Sequence, residues 1–362
     1  MKITFVAPYN ISGGVRVVAI YAEKLRARGH DVRIVSRLKP HLSWPRHILA
    51  QLQGRRVRPR ARAAHYGALE PFVTKIETTR PLTDDDFPDA DVVIATWWET
   101  AFWVDALAPE KGAKVYFVQH HETHGSTQWE FARGSYYLPL QKITISGWLE
   151  GLMADLYGDR DVRVVPNSVS LDQFHGPPRG KQARPTVGFM YSRKEFKGAD
   201  VAAEAVRQLK ARFPELRVVA FGQSPLDANA GFPADTDYTQ TPPQEAIREI
   251  YAAADVWLVS SHTEGFGLPA LEAMACRTPV VSTRVGGPAE FIRDGENGHL
   301  VAPGDATALA DRAAELLVAE EPAWRAVSDA AHASVTGYTW DDAAERFEQA
   351  LNDAVAARQT TQ

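Results

Sequence analysis

Apolar runs of strand length, each followed by a helical stretch, recur along this chain. ITFVA (residues 3–7) is the first; after Gly13 and Gly14, residues Val15, Val18, Ala19, Ala22 and Leu25 return at the spacing of one helix face. Gly29 ends that helix and VRIVS (32–36) is the next strand. DVVIAT (91–96), KVYFVQ (114–119), KITIS (142–146) and VRVVP (162–166) continue the alternation. Runs apolar on both faces predict parallel strands covered by helices. A second cycle follows FHGPPRGKQARP (174–185), whose proline, glycine and basic residues have the composition of an interdomain linker. TVGFM (186–190), RVVAF (217–221), DVWLVSS (255–261), PVVST (279–283) and HLVAP (299–303) are its strands, and YTWDDAAERFEQALNDAVAA (338–357) is an amphipathic helix.

The expectation is therefore an α/β chain of two doubly wound domains, 1–174 and 175–339, with a helix over 340–358 packing back on the first. The length of 362 residues, 45% of them apolar, suits two cores. A formal net charge of -5 gives no overall attraction to nucleic acid. The single cysteine, Cys276, excludes an intrachain disulfide. The apolar start stops at Pro8, short of a signal-peptide core, and no later run approaches the ~18 residues of a membrane span. The expected place is the cytoplasm, with any membrane met peripherally at its inner face.

Two charged stretches stand apart. Lys39, Arg46, Arg55, Arg56, Arg58, Arg60 and Arg62 occur with no acid among them, interleaved with Trp44, Ile48, Leu49 and Leu52. That is a solvated face, or a contact for an anionic membrane or a phosphate-bearing acceptor. DDDFPDAD (84–91) reads as an acidic loop before a strand, with no further ligands to make it a metal site.

Candidate chemistry falls at the carboxyl ends of the predicted strands, where open α/β sheets bind ligands. Gly13 and Gly14 let backbone approach a diphosphate at a helix start, or simply make a tight turn. In YSRKEFKG (191–198), Arg193 and Lys197 follow a strand and could neutralise a diphosphate leaving group. In HTEGFGLPALEA (262–273), Glu264 lies on a loop, Gly265 and Gly267 let the chain fold back, and Pro269 opens the helix carrying Glu272. Two carboxylates so placed suit two pairs of vicinal hydroxyls, as in a ribose and a hexose joined by diphosphate. Trp97, Trp98, Trp103 and Trp129 are candidates for packing or for stacking on acceptor rings.

EGFGLPALEAMACRTPVVSTRVGGPAEFI (264–292) resembles the E-x7-E region of family-4 glycosyltransferases, retaining enzymes of the GT-B fold. GGVRVVAIYAEKLRARGHDV (13–32) is similar to their phosphate loop and helix, and VVPNSVSLDQF (164–174) to the segment before their linker. The likeness runs through nearly the whole chain and is weak over 39–110. It implies two Rossmann-like domains facing each other across a cleft. It also implies transfer from a nucleotide-diphosphate sugar to a hydroxyl of a glycan, lipid-linked or small-molecule acceptor in surface-glycan synthesis, with no cofactor and no catalytic metal.

The resemblance gives Glu264 the sugar hydroxyls, with backbone at Gly265, Phe266, Gly267 and Leu268 beside the sugar and phosphates, and Glu272 the ribose. Arg193, Lys197, Gly13 and Gly14 would hold the diphosphate. His120 matches the active-site histidine, His121 is the alternative, and His121, Trp97 and Trp98 would face the acceptor. Ser192 stands where the family often has glycine, and Arg193 and Lys197 are one residue closer than in many relatives. HHETH (120–124) by itself could also read as a metal cluster. Rival activities on the same pattern are a phosphorylase, a nucleotide-sugar epimerase, a glycoside hydrolase and an inactive nucleotide-sugar-binding subunit.

Overall fold

A computed structural model describes residues 1–38, 49, 52, 53, 64–123 and 128–361. The basic segment Lys39–Arg62 lies outside these residues apart from Leu49, Leu52 and Gln53, all exposed, and His124 lies outside them as well. The chain divides into two compact units: 1–145, 149–165 and 340–362 form one, 146–148 and 166–339 the other.

The first unit holds a seven-stranded parallel sheet in the order β3-β2-β1-β4-β5-β6-β7. Its strands are β1 Lys2–Val6, β2 Asp31–Leu38, β3 Val73–Glu77, β4 Val92–Ala95, β5 Ala113–Val118, β6 Gln141–Thr144 and β7 Val162–Val164. β1, β4 and β5 are nearly free of exposed side chains because helices cover both faces. One of these, Gly13–Ala27, starts at the two glycines themselves, with Ser12 as the cap accepting from Val15 N at 3.4 Å. Gly13 and Gly14 thus belong to the helix rather than to a turn before it.

The terminal helix Trp340–Thr361 lies on this first sheet. Its Phe347 stacks on Tyr21 at 4.4 Å and meets Phe117 at 5.0 Å, while Trp340 meets Tyr21 edge-on at 5.5 Å. Burying four such rings together contributes several kcal/mol. Lys24 pairs with Asp341, and His30 and Arg28 with Glu348, along the rim.

The second unit repeats the plan with six strands in the order β10-β9-β8-β11-β12-β13. They are β8 Thr186–Tyr191, β9 Arg217–Gly222, β10 Asp237–Gln240, β11 Val256–Val259, β12 Val280–Thr283 and β13 His299–Val301. Trp257 of β11 sits opposite Gly188 of β8, where any larger side chain would collide with the indole. Both units are α/β with doubly wound parallel sheets, as the alternation predicts.

Two strands have no counterpart in the apolar pattern. β3 and β10 are sheet edges whose residues are mostly exposed, so they carry no buried run to read. The stretch 174–185 also differs from a free linker, because it is bonded along the second unit. Arg179 donates to Ala254 O at 2.6 Å and to Thr278 Oγ1 at 2.9 Å; Lys181 donates to Leu317 O at 2.6 Å; Gln182 N donates to Asp255 Oδ1 at 2.7 Å. The buried Phe174 packs on Tyr251, so the chain joins the second unit at Pro166 and not after residue 174. Among the described residues, no helix is long and apolar enough to cross a membrane.

Candidate active site

In the second unit the strand order reverses between β8 and β11, and the loops leaving their carboxyl ends lie side by side. The β8 loop ends in a single 3-10 turn, Glu195–Lys197; the β11 loop is 260–267. They are joined through backbone and side chains: His262 N donates to Phe196 O at 2.8 Å and Ser260 Oγ to Lys197 O at 3.2 Å.

On this platform Lys197 Nζ donates to Glu264 Oε2 at 2.6 Å, and Ser261 Oγ donates to the same oxygen at 3.1 Å. Glu264 is 9% exposed. A carboxylate withdrawn this far from water needs such charge-assisted donors. Arg193, by contrast, is exposed and donates to Pro225 O at 3.3 Å. The structure thus joins one of the two predicted cations to the predicted sugar carboxylate and turns the other toward the β9 loop.

Gly267 adopts a left-handed conformation, φ +85°, and caps the helix Leu268–Ala275, so Pro269 is the second helical residue rather than the first. Glu272 rises from this helix 6% exposed, and its Oε2 accepts from Tyr251 Oη at 2.8 Å. Phe266 is buried and packs against Phe291. Beneath the loop pass Gly286 and Gly287: a Cβ on the first would overlap the Glu264 carbonyl oxygen, and one on the second the Phe266 carbonyl oxygen. Ser261, Tyr251, Gly286 and Gly287 were missed by reading residues as ligands. The double glycine lies within the 264–292 block; Tyr251 carries no signal beyond an aromatic on an amphipathic helix.

In the first unit the strand order reverses between β1 and β4. At the helix start after β1, Gly13 faces open space, whereas the Gln119 side-chain amide lies about 3.4 Å from where a Gly14 Cβ would be. β5 ends at Val118, so His120 and His121 stand on the following loop and not on the strand. A buried phenol organises that loop: Tyr136 Oη donates to His120 O at 3.0 Å and accepts from Glu122 N at 2.9 Å. Burial holds the Tyr136 hydroxyl well above the usual range, so it stays a neutral donor.

His121 is committed to the scaffold, with Nε2 2.7 Å from Tyr157 Oη and Nδ1 3.2 Å from Thr123 Oγ1. His120 is half-buried beside it. The Glu122 carboxylate accepts from Trp98 N at 3.0 Å, at the first turn of the helix Trp98–Ala106. The tryptophans part company: Trp97 and Trp98 are half-buried and touch edge-on, Trp103 is buried under the Arg37 guanidinium, and Trp129 is 43% exposed. Among the described residues, no three histidine, cysteine or acidic side chains gather as a metal site.

Two parallel doubly wound units with loops of this kind at their switch points define the GT-B glycosyltransferase fold. A profile described as "Glycosyltransferase Family 4" matches residues 11–173, and one described as "Glycosyl transferases group 1" matches 177–333. The chain belongs to the family-4 GT-B glycosyltransferases. A D-inositol 3-phosphate glycosyltransferase from Acidothermus cellulolyticus is 33% identical over 249 residues, which is 60% of this chain and 54% of that protein. The chain spans about half the length of the curated relatives it matches. Among solved structures, sucrose-phosphate synthase from Thermosynechococcus elongatus superposes with a TM-score of 0.75 at 19% identity, covering 99% of this chain and 100% of that one. Anabaena HepE in complex with UDP and glucose gives 0.76 at 17% identity, covering 97% and 99%.

Proposed function

We propose that this chain transfers a sugar from a nucleotide-diphosphate donor to an acceptor hydroxyl, with retention at the anomeric carbon. The observation that carries the reading is Lys197 paired with Glu264 at the switch point of the second sheet. It puts a cation suited to a leaving diphosphate against a carboxylate suited to sugar hydroxyls, the two groups a glycosyl phosphate bond separates. Arg193 would supply a second charge to the phosphates and Glu272 would hold the ribose. Glu264 would fix the sugar, together with backbone at Gly265, Phe266, Gly267 and Leu268.

In the first unit, Gly13 and Gly14 would admit a phosphate and His120 would stand beside the sugar. His121, tied to Tyr157 and Thr123, supports that register. Lys197 and Arg193 stabilise charge developing on the leaving group, the kind of term worth roughly 3 kcal/mol per donor. The departing phosphate oxygen takes the proton of the incoming hydroxyl on the same face, so the new bond keeps the anomeric configuration. No metal enters this scheme.

The acceptor is a hydroxyl of a glycan, a lipid-linked glycan or a small polyol, in surface-glycan or glycoconjugate synthesis at the cytoplasmic side of the membrane. The relatives named for inositol 3-phosphate place phosphorylated polyols first among acceptors to test. UDP-glucose heads the donors, because it accompanies a structural neighbour. The test incubates the protein with a panel of nucleotide sugars and acceptors and follows nucleoside diphosphate release, with NMR of the new linkage. Release that requires acceptor and a retained anomeric configuration is expected. An inverted linkage overturns retention; donor binding with no transfer to any acceptor favours an inactive binding subunit.

A further inference from the structure

Tyr251 stands in the last turn of the helix Gln244–Ala252 and is fully buried. Its ring is held on three sides, by Trp257 at 4.5 Å, Phe221 at 5.6 Å and Phe174 at 6.0 Å, each nearer to edge-on than to stacked. Its carbonyl accepts from Thr278 Oγ1 at 2.7 Å, and Thr278 is itself buried. A ring packed this way, with its backbone pinned, has one place to put its hydroxyl. That place is 2.8 Å from Glu272 Oε2.

We infer that Tyr251 is the positioning residue for Glu272, setting the plane of the carboxylate that receives the ribose hydroxyls. The inference rests on the ribose role proposed for Glu272. The terminal torsion of a glutamate is broad and close to two-fold, so a helix alone does not aim its carboxylate. Two vicinal hydroxyls are recognised well only when both carboxylate oxygens lie in the plane that faces them. A phenol donating to one oxygen at 2.8 Å supplies such a restraint without adding a positive charge. A lysine or arginine there would neutralise the charge on which ribose recognition depends. The aromatic shell adds stiffness, and it offers the phenol proton no other acceptor: the two phenylalanine rings carry no polar atom and the Trp257 indole N–H can only donate.

The alternative is that Tyr251 merely satisfies a buried acid and serves the fold. The two roles part company when the ribose hydroxyls are removed. UDP, GDP and ADP are first compared by calorimetry. The tightest binder and its 2′,3′-dideoxy analogue are then measured on the native protein and on Tyr251→Phe, Glu272→Ala and the double variant. Tyr251→Phe keeps the ring in its shell and removes only the donor.

The expected result is roughly tenfold weaker binding of the parent nucleotide by Tyr251→Phe, the scale of one charge-assisted hydrogen bond, with the dideoxy analogue changed less than about twofold. In the Glu272→Ala background the same change has no further effect on nucleotide binding. Equal losses on both nucleotides, or a loss that persists without Glu272, mean a structural role and overturn the inference. Loss in Glu272→Ala with none in Tyr251→Phe also overturns it while leaving the ribose role standing. Glu272→Ala binding as tightly as the native protein removes the ribose role itself.

Discussion

Lys197 Nζ lies 2.6 Å from Glu264 Oε2, although 67 positions separate the two residues. Assigned separately to diphosphate and to sugar, they hold each other in the structure, so under the proposed roles an arriving diphosphate would compete with Glu264 for the ammonium. Lys197→Ala is expected to reduce kcat/KM by roughly 10²–10³. Glu264→Gln keeps the shape and frees the ammonium. It should leave nucleoside diphosphate affinity unchanged or tighter while turnover falls at least about tenfold. Steady-state kinetics with calorimetry separates the two; parallel losses of diphosphate affinity in both variants would sink the division of labour.

Gly286 has φ +43°, and a Cβ there would overlap the carbonyl oxygen of Glu264. Gly286→Ala must therefore displace the 264–267 loop or its own, at a cost of about 2–4 kcal/mol. Gly337→Ala, at φ -82° with open space around it, is the control. Urea denaturation should show a large loss for the first and a change within about 0.5 kcal/mol for the second. Equal stabilities would mean the double glycine does not support the loop.

Gly13 is the first residue of its helix and faces open space. Alanine there is expected to raise stability by about 0.5–1 kcal/mol. If backbone at this point approaches a phosphate closely, the same methyl group obstructs it. Gly13→Ala should then melt higher and turn over more slowly. A variant that is both more stable and fully active removes Gly13 from the phosphate site.

Cys276, the one cysteine, is buried, and burial chiefly pushes its thiol up to about 12 from an ordinary 9.0. The folded chain holds this proton more tightly than the unfolded one. The stabilisation is thus complete below pH 9 and is lost as pH climbs toward 12, by about 1.4 kcal/mol per unit. Tyr116 and Tyr136, also raised by burial, add to the loss above pH 10. Cys276→Ala should flatten the stability profile between pH 9 and 10. In the native chain, Ellman's reagent should find no thiol at pH 8 until denaturant is added.

How much of this was legible beforehand divides by sequence distance. Runs such as ITFVA and PVVST announced β1 and β12 because buried parallel strands are apolar on both faces, and the 264–292 block carried its acids, glycines and proline in fixed order. β3 and β10 escaped because an edge strand pairs through backbone while its side chains stay wet. The 174–185 stretch looked like a tether, since nothing local shows that Arg179 and Gln182 find carbonyl and carboxylate partners some 70 residues onward.

The sequence by itself determined the buried strands and the inventory of the candidate site: two doubly wound halves, a carboxylate before a glycine-rich turn, another on the helix after it, and cations after β8. Only the tertiary structure decided partners: that Lys197 meets Glu264, that Tyr251 meets Glu272, and that His121 belongs to Tyr157. Periodicity and turn chemistry act within about a dozen residues and so are written in the order of the chain. A hydrogen bond between side chains 21 or 67 positions apart exists only once the parallel sheet has packed the helices and loops that carry them against one another.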